Sequence, residues 1–316
     1  MSDKPLVKIP VHFRKTNPTA HLFQRLQLCR KCGRYSCLWH EHCLSCGAQG
    51  TRTPVEQAAR TVMKRGLQTD LLILAALGLA AFAAAGSFEE MTAALAGALL
   101  LIGVRYGLGR RFEPYIYRRT LHRLLLQDGK EIRAGLLSDI DDAEEDLKQD
   151  DYLAAYEKFR EIGYFLRNDP IKVLRLLCLS RFILRSDMDL ELSSLLPSRF
   201  DKDFIHYLHE VGRVRPQLIG KDVLDYCMKY RTVVREMAVG PGVLAAAAGA
   251  ALRVREHLAL YYDLILEQAE HLPKDRLLRL HRLLTESPGT YPELHAKVLE
   301  AAKQRFPSDA EFAPIL

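Results

Sequence analysis

The sequence predicts a mainly α-helical protein, and three observations predict it. Leu71 to Val104 is a 34-residue stretch in which only Ser87, Glu89, Glu90 and Thr92 are polar. From Gly129 to Phe306 apolar residues recur at helical spacing, with no convincing strand-like alternation. Five of the seven cysteines crowd between Cys29 and Cys46, which marks a small N-terminal module of a different kind.

At 316 residues the chain exceeds the usual single domain, so two or three modules are expected. The expected boundaries are a lead-in at 1–25, a cysteine module at 26–50, a linker helix at 51–66, a helical hairpin at 67–108 and a helical domain at 109–316. The formal charge of +6 is unevenly spread. Residues 1–66 carry a net +9, residues 67–104 hold three acids and no base, and residues 105–133 carry a net +5. Positive charge therefore brackets the apolar stretch, as anionic headgroups favour. Residues 1–20 are polar and interrupted by proline, unlike a secretory signal. Residues 1–25, with Pro5, Pro10 and Pro18, are expected to be extended.

The cysteine module has the most specific pattern in the chain. Cys29-Arg-Lys-Cys32-Gly33 is followed by Cys43-Leu-Ser-Cys46-Gly47, with ten residues between Cys32 and Cys43. Two such knuckles are what a tetrahedral metal site requires: each tight turn presents two thiolates, and glycine takes a backbone conformation that side chains resist. Cys29, Cys32, Cys43 and Cys46 are the expected ligands, and Cys37, His40 and His42 between the knuckles are alternates. Four thiolates fill the coordination shell, so the metal is expected to be structural Zn²⁺. Residues 29–47 resemble a short zinc ribbon of the kind many bacterial proteins carry at one terminus, which implies a small β-hairpin module. The cysteine distribution suits a reducing compartment better than a disulfide framework.

Thr51 to Leu67 is expected to be a short amphipathic helix, with Thr53-Pro54 and Glu56 at its start. The apolar stretch is too long for one membrane span, which needs about 20 residues, and fits two. The break at Gly86-Ser87-Phe88-Glu89-Glu90 is where they would turn, giving helices near Leu67–Gly86 and Met91–Leu108. The alternative is a buried hairpin inside a soluble protein. Lys64 and Arg65 before it, and Arg105, Arg110, Arg111, Arg118 and Arg119 after it, favour a membrane hairpin with both termini cytoplasmic. In a bacterial cell this is the inner membrane. Ala93 with Gly97, and Gly103 with Gly107, stand at the spacing that lets helices approach closely.

After the hairpin, Phe112–Leu126 should form a basic juxtamembrane helix. Breaks are expected at Asn168-Asp169-Pro170, Asp187, Pro197, Arg215-Pro216, Gly240-Pro241-Gly242, Pro273 and Ser287-Pro288-Gly289. Helices of roughly 10–20 residues between them would stack in pairs. Asp150-Asp151-Tyr152 to Phe159, ending at Asp169-Pro170, resembles the second helix of a tetratricopeptide repeat, although no second copy is evident. Ala-rich Val239–Leu252 is too short to span and should be an internal helix.

No catalytic signature emerges. His206-Tyr-Leu-His209-Glu210 has neither order of a zinc hydrolase motif and lacks a third ligand. The acids from Asp139 to Asp146 lack the spacing of a calcium loop and suit a solvated face or a basic partner. Cys178 should pack in the core. The expectation is a non-enzymatic, membrane-anchored adaptor that binds protein partners through its ribbon and helical domain. The alternative is a membrane-tethered nucleic-acid binder using Arg30, Lys31, Arg34, Tyr35 and Trp39. A transport role would require several copies to associate, since two helices make no path.

Overall fold

The computed structural model describes residues 8–16, 18–286, 289–307, 309, 311 and 312. The mainly helical class is observed. One compact unit is Thr16–Lys148; the other joins the segment ending at Lys15 to Gln149 onward.

The first unit begins with β1 (Gln27–Cys29), β2 (Tyr35–Ser36) and β3 (Arg52–Pro54), an antiparallel sheet in the order β2-β1-β3. The third strand extends the ribbon beyond its expected end at residue 50. Pro54 then caps α1 (Val55–Ala84), a single 30-residue helix. The expected linker helix and first span are therefore one element, because nothing between Val55 and Leu71 breaks helix. The chain turns at Ala85–Ser87 into α2 (Phe88–Arg111). Ser87 Oγ accepts from Glu90 N at 3.3 Å, and Glu90 accepts from Gly86 N at 2.8 Å. Two carboxylates in the first turn of α2 complement its dipole.

Both helices are long and apolar enough to cross a membrane, with mean hydropathies of 1.8 and 1.6 over their most apolar windows. Neither window is buried against the rest of the described residues, as the window of a core helix would be. Leu72, Leu79 and Leu100 are 70%, 69% and 67% exposed. The close approach lies elsewhere than expected. Gly97, Gly103 and Gly107 have nothing within 4 Å of an added Cβ, whereas one on Gly78 would meet Ala98 Cβ at 2.5 Å. The GxxxG spacing falls on outward faces. Gly78→Val should therefore wedge the hairpin apart at a cost of about 1–3 kcal/mol. Gly103→Val should not, and cysteine crosslinking between α1 and α2 distinguishes the two.

Beyond Phe112 come α3 (Glu113–Gln127), the expected juxtamembrane helix, and α4 (Gly129–Lys148). Where α1, α2 and α3 meet, a 790 Å³ cavity is lined by charges of both signs, among them Lys64, Asp70, Arg105, Arg110 and Glu113. Arg105 Nε donates to Asp70 at 3.2 Å.

The second unit contains α5 (Tyr152–Phe165), α6 (Asp169–Ser180), α7 (Lys202–Val214), α8 (Lys221–Lys229), α9 (Arg231–Arg235), α10 (Gly240–Ala251), α11 (His257–Leu260), α12 (Tyr262–Gln268), α13 (Lys274–Thr285) and α14 (Pro292–Arg305). Asp151 caps α5 through Ala154 N at 3.0 Å, and Asn168 caps α6 through Ile171 N at 3.4 Å. Pro170 opens α6. The α5–α6 pair packs together, but helices of four, five and seven residues follow, shorter than expected, and no regular repeat emerges. The Ala-rich helix α10 is the internal helix expected, with Val243, Leu244, Ala247, Ala248 and Ala251 buried. Gly240-Pro241-Gly242 opens α10 just after α9 ends at Arg235, so the expected break is a helix boundary; proline is tolerated in a first turn. A Cβ on Gly240 would lie 1.7 Å from the Val234 carbonyl, so only glycine fits. Cys178 and Cys227 are fully buried, and burial pushes both thiols up to about 12. The expected break at Ser287-Pro288 lies outside the described residues.

Part of the described lead-in packs on the helical unit. Ile9 pairs in parallel with Phe182, through Ile9 N to Arg181 O at 2.9 Å and Ile183 N to Ile9 O at 3.0 Å. Phe13 sits 4.7 Å from Tyr156 and 5.8 Å from Phe182, and Arg160 donates to the Arg14 carbonyl at 2.5 Å. Lys8 pairs with Glu210.

Between α13 and α14 the His281 and His295 rings stack at 5.7 Å. Burial, and then the neighbouring imidazole, hold His281 below its ordinary range. The folded state thus protonates less readily than the unfolded chain. Its stability contribution is complete above the ordinary histidine range and declines as pH falls through that range to the depressed value. His281→Gln should flatten the fall in thermal midpoint between about pH 7.5 and 5, the interval histidine titration spans.

Candidate metal centre

The two knuckles repeat one backbone design. Gly33 N donates to Cys29 O at 2.9 Å and Cys29 N to Arg34 O at 2.9 Å; Gly47 N donates to Cys43 O at 2.8 Å and Cys43 N to Ala48 O at 3.0 Å. Gly33 and Gly47 close these turns at φ of +71° and +67°, where side chains are strained. The sequence folds this way because each CxxCG offers two thiols and a residue able to reverse the chain.

All four ligand atoms lie within 4.8 Å of one another. Cys29 and Cys46 Sγ are 3.8 Å apart, Cys32 and Cys43 Sγ 3.6 Å. Metal–sulfur bonds of about 2.3 Å in a tetrahedron require sulfurs about 3.8 Å apart, so the arrangement fits such an ion. Burial opposes ionisation of Cys29, but hydrogen bonds from Thr51 and from the backbone at Cys32 and Lys31 bring its thiol down to about 6. Burial and the neighbouring thiols push Cys32 up to about 12. A divalent metal ion binding here would displace the thiol protons and hold all four sulfurs as thiolates.

The alternates lie outside the cluster. Cys37 is fully buried, and its backbone N donates to Asp139 Oδ2 at 2.8 Å. His40 pairs with Asp142 at 2.9 Å, and the His42 ring lies tilted beside that of His40 at 5.6 Å. His206 and His209 stand one turn apart on α7, the first exposed and the second half-buried.

Sequence reasoning missed the surface on which the ribbon rests. β2 lies on α4, and Asp139 of α4 is buried beneath it, accepting from Ser36 Oγ and Cys37 N, both at 2.8 Å. Ser36 Oγ also accepts from Leu38 N at 3.1 Å. Burial raises the Asp139 carboxyl above the usual range, against the lowering effect of these donors. Tyr35 is buried and donates to Asp128 at 2.6 Å. A Cβ on Gly135 would lie 2.0 Å from the Tyr35 carbonyl, so glycine permits the contact. The acids are thus partly an internal dock and not simply a solvated face. Gly135 and Asp139, four apart on one helical face, were the available signal.

Of the basic and aromatic residues expected near nucleic acid, Arg30 and Lys31 are exposed and Arg34 is half-buried. Trp39 is 40% exposed, whereas buried Tyr35 offers no face for stacking. Comparison with protein-family models, curated proteins and solved structures yields no match.

Proposed function

We propose that this chain is a non-enzymatic adaptor anchored in the inner membrane by α1 and α2, with a structural Zn²⁺ ribbon and a helical unit that bind protein partners on the cytoplasmic side. One observation carries the topology. The ribbon precedes α1, while Asp128 and α4 follow α2, yet Tyr35 bonds Asp128 and Ser36 bonds Asp139. Two crossings return the chain to the side it left, which this shared packing needs. The arginines at both flanks make that side the cytoplasm. The Arg105–Asp70 pair lies where the helices enter the apolar layer and offsets the cost of both charges. Four thiolates leave no open coordination position, which supports a folding role for the ion.

Crosslinked pull-down from detergent extract, with and without nuclease, tests the reading. Specific proteins retained after nuclease are expected. Material lost with nuclease would instead favour nucleic-acid binding through Arg30, Lys31 and Trp39. A reaction abolished by His206→Ala or His209→Ala would overturn the non-enzymatic assignment.

A further inference from the structure

The helical unit contains a second cavity, of 390 Å³, where α7, α10 and the start of α13 meet. Its lining includes His209, Arg213, Arg253, His271, Arg276 and Asp275. Three guanidinium groups and two imidazoles therefore face one carboxylate. That carboxylate, Asp275, is exposed and already pairs with Arg276 at 3.3 Å. Among the described residues Arg213 makes no ion pair or hydrogen bond. Arg253 is anchored by donating Nε to the Ala250 carbonyl at 3.1 Å and a terminal nitrogen to the Ile219 carbonyl. A guanidinium has five donors, so three remain for a ligand.

The cavity floor is built to hold these groups. Gly242 lies under His209, where an added Cβ would be 3.1 Å from Nε2. Gly249 lies under Arg276, where one would be 3.4 Å from Cγ. Small residues on α10 thus let the ring and the arginine stem lie flat against the helix. Burial, and then the nearby charge of Arg276, disfavour the Arg253 cation. Like charges gathered in a concave, partly desolvated space are relieved by an anion.

We propose that this cavity binds a small phosphate-bearing molecule, with Arg213, Arg253 and Arg276 holding the phosphate oxygens. The forked guanidinium matches phosphate geometry, and three of them suit a group carrying more than one negative charge. The volume lies within the range of small-molecule sites, roughly 300–1,000 Å³, and so leaves room for a body beyond the phosphate. The cavity is too confined for a folded partner. His209, which forms no metal motif, acquires a role as a wall of this site. The inference is independent of the anchor and the metal centre, since every lining residue belongs to the helical unit.

Titration calorimetry on the full chain in detergent, with pyrophosphate as probe and sulfate at matched ionic strength as comparison, tests it. Saturable pyrophosphate binding is expected, weakened roughly tenfold or more by Arg213→Gln or Arg276→Gln, as loss of a charged hydrogen bond implies. Arg235→Gln, which lies outside the cavity and pairs with Glu267, should leave binding unchanged. Arg213 is exposed and unbonded, so its variant keeps the test readable even where Arg276→Gln disturbs packing. No pyrophosphate binding at millimolar concentration would overturn the proposal. So would equal affinity in both cavity variants, or sulfate binding as tight as pyrophosphate.

Discussion

Stripping the metal with a strong chelator, or replacing Cys29 and Cys46 together by serine, should unfold residues 26–54 while leaving the helices largely intact. The ribbon has three strands of two or three residues, far too little to fold unaided. Binding of a structural zinc to such modules is worth roughly 10–16 kcal/mol in apparent terms, which is folding free energy here. Hydrogen exchange should show the amides of Cys29, Cys37 and Cys43 losing protection first. Protection across α4 should fall with them, because Asp139 loses its donors Ser36 and Cys37. Unchanged protection at Cys37 after verified metal removal would show that the dock, and not the ion, folds the ribbon.

The second large effect is expected at the dock. Gly135→Val places a branched side chain where even a Cβ would meet the Tyr35 carbonyl at 2.0 Å. β2 must lift, and the carboxylate beneath it loses two hydrogen bonds. Overpacking and lost bonds together should cost on the order of 3–5 kcal/mol. Gly129→Ala, on the same helix with nothing within 4 Å, should cost far less. Thermal unfolding of the ribbon, followed by fluorescence of Trp39, the only tryptophan, compares them directly. Similar midpoints for the two variants would mean that the ribbon does not depend on this contact.

What could be read from the sequence was local. The spacing of Cys29, Cys32, Cys43 and Cys46 carried its own geometry, since both knuckles close within five residues. The apolar run likewise announced a hairpin, because Ser87 and two glutamates sit at its turn. Contacts between distant segments left weaker traces. Tyr35, offered by the nucleic-acid alternative, is buried, and its partner, Asp128, lies 93 residues away. Asp139 looked like one acid of a solvated series until Ser36 and Cys37 covered it. Gly97, Gly103 and Gly107 had the right spacing and the wrong face, while isolated Gly78 made the contact. Periodicity reports which residues share a face; it does not report what that face meets.

The strand pairing of Ile9 with Phe182 also has a consequence for biosynthesis. Within this clasp His12 and Arg185 interact across 173 residues of sequence. At about 5–20 residues per second, the ribosome needs roughly ten to thirty seconds to make that interval. Throughout it Ile9 and His12 wait without their partners, while the ribbon and both apolar helices emerge. The helical unit therefore closes only after Phe182 is made, around a segment synthesised before the hairpin.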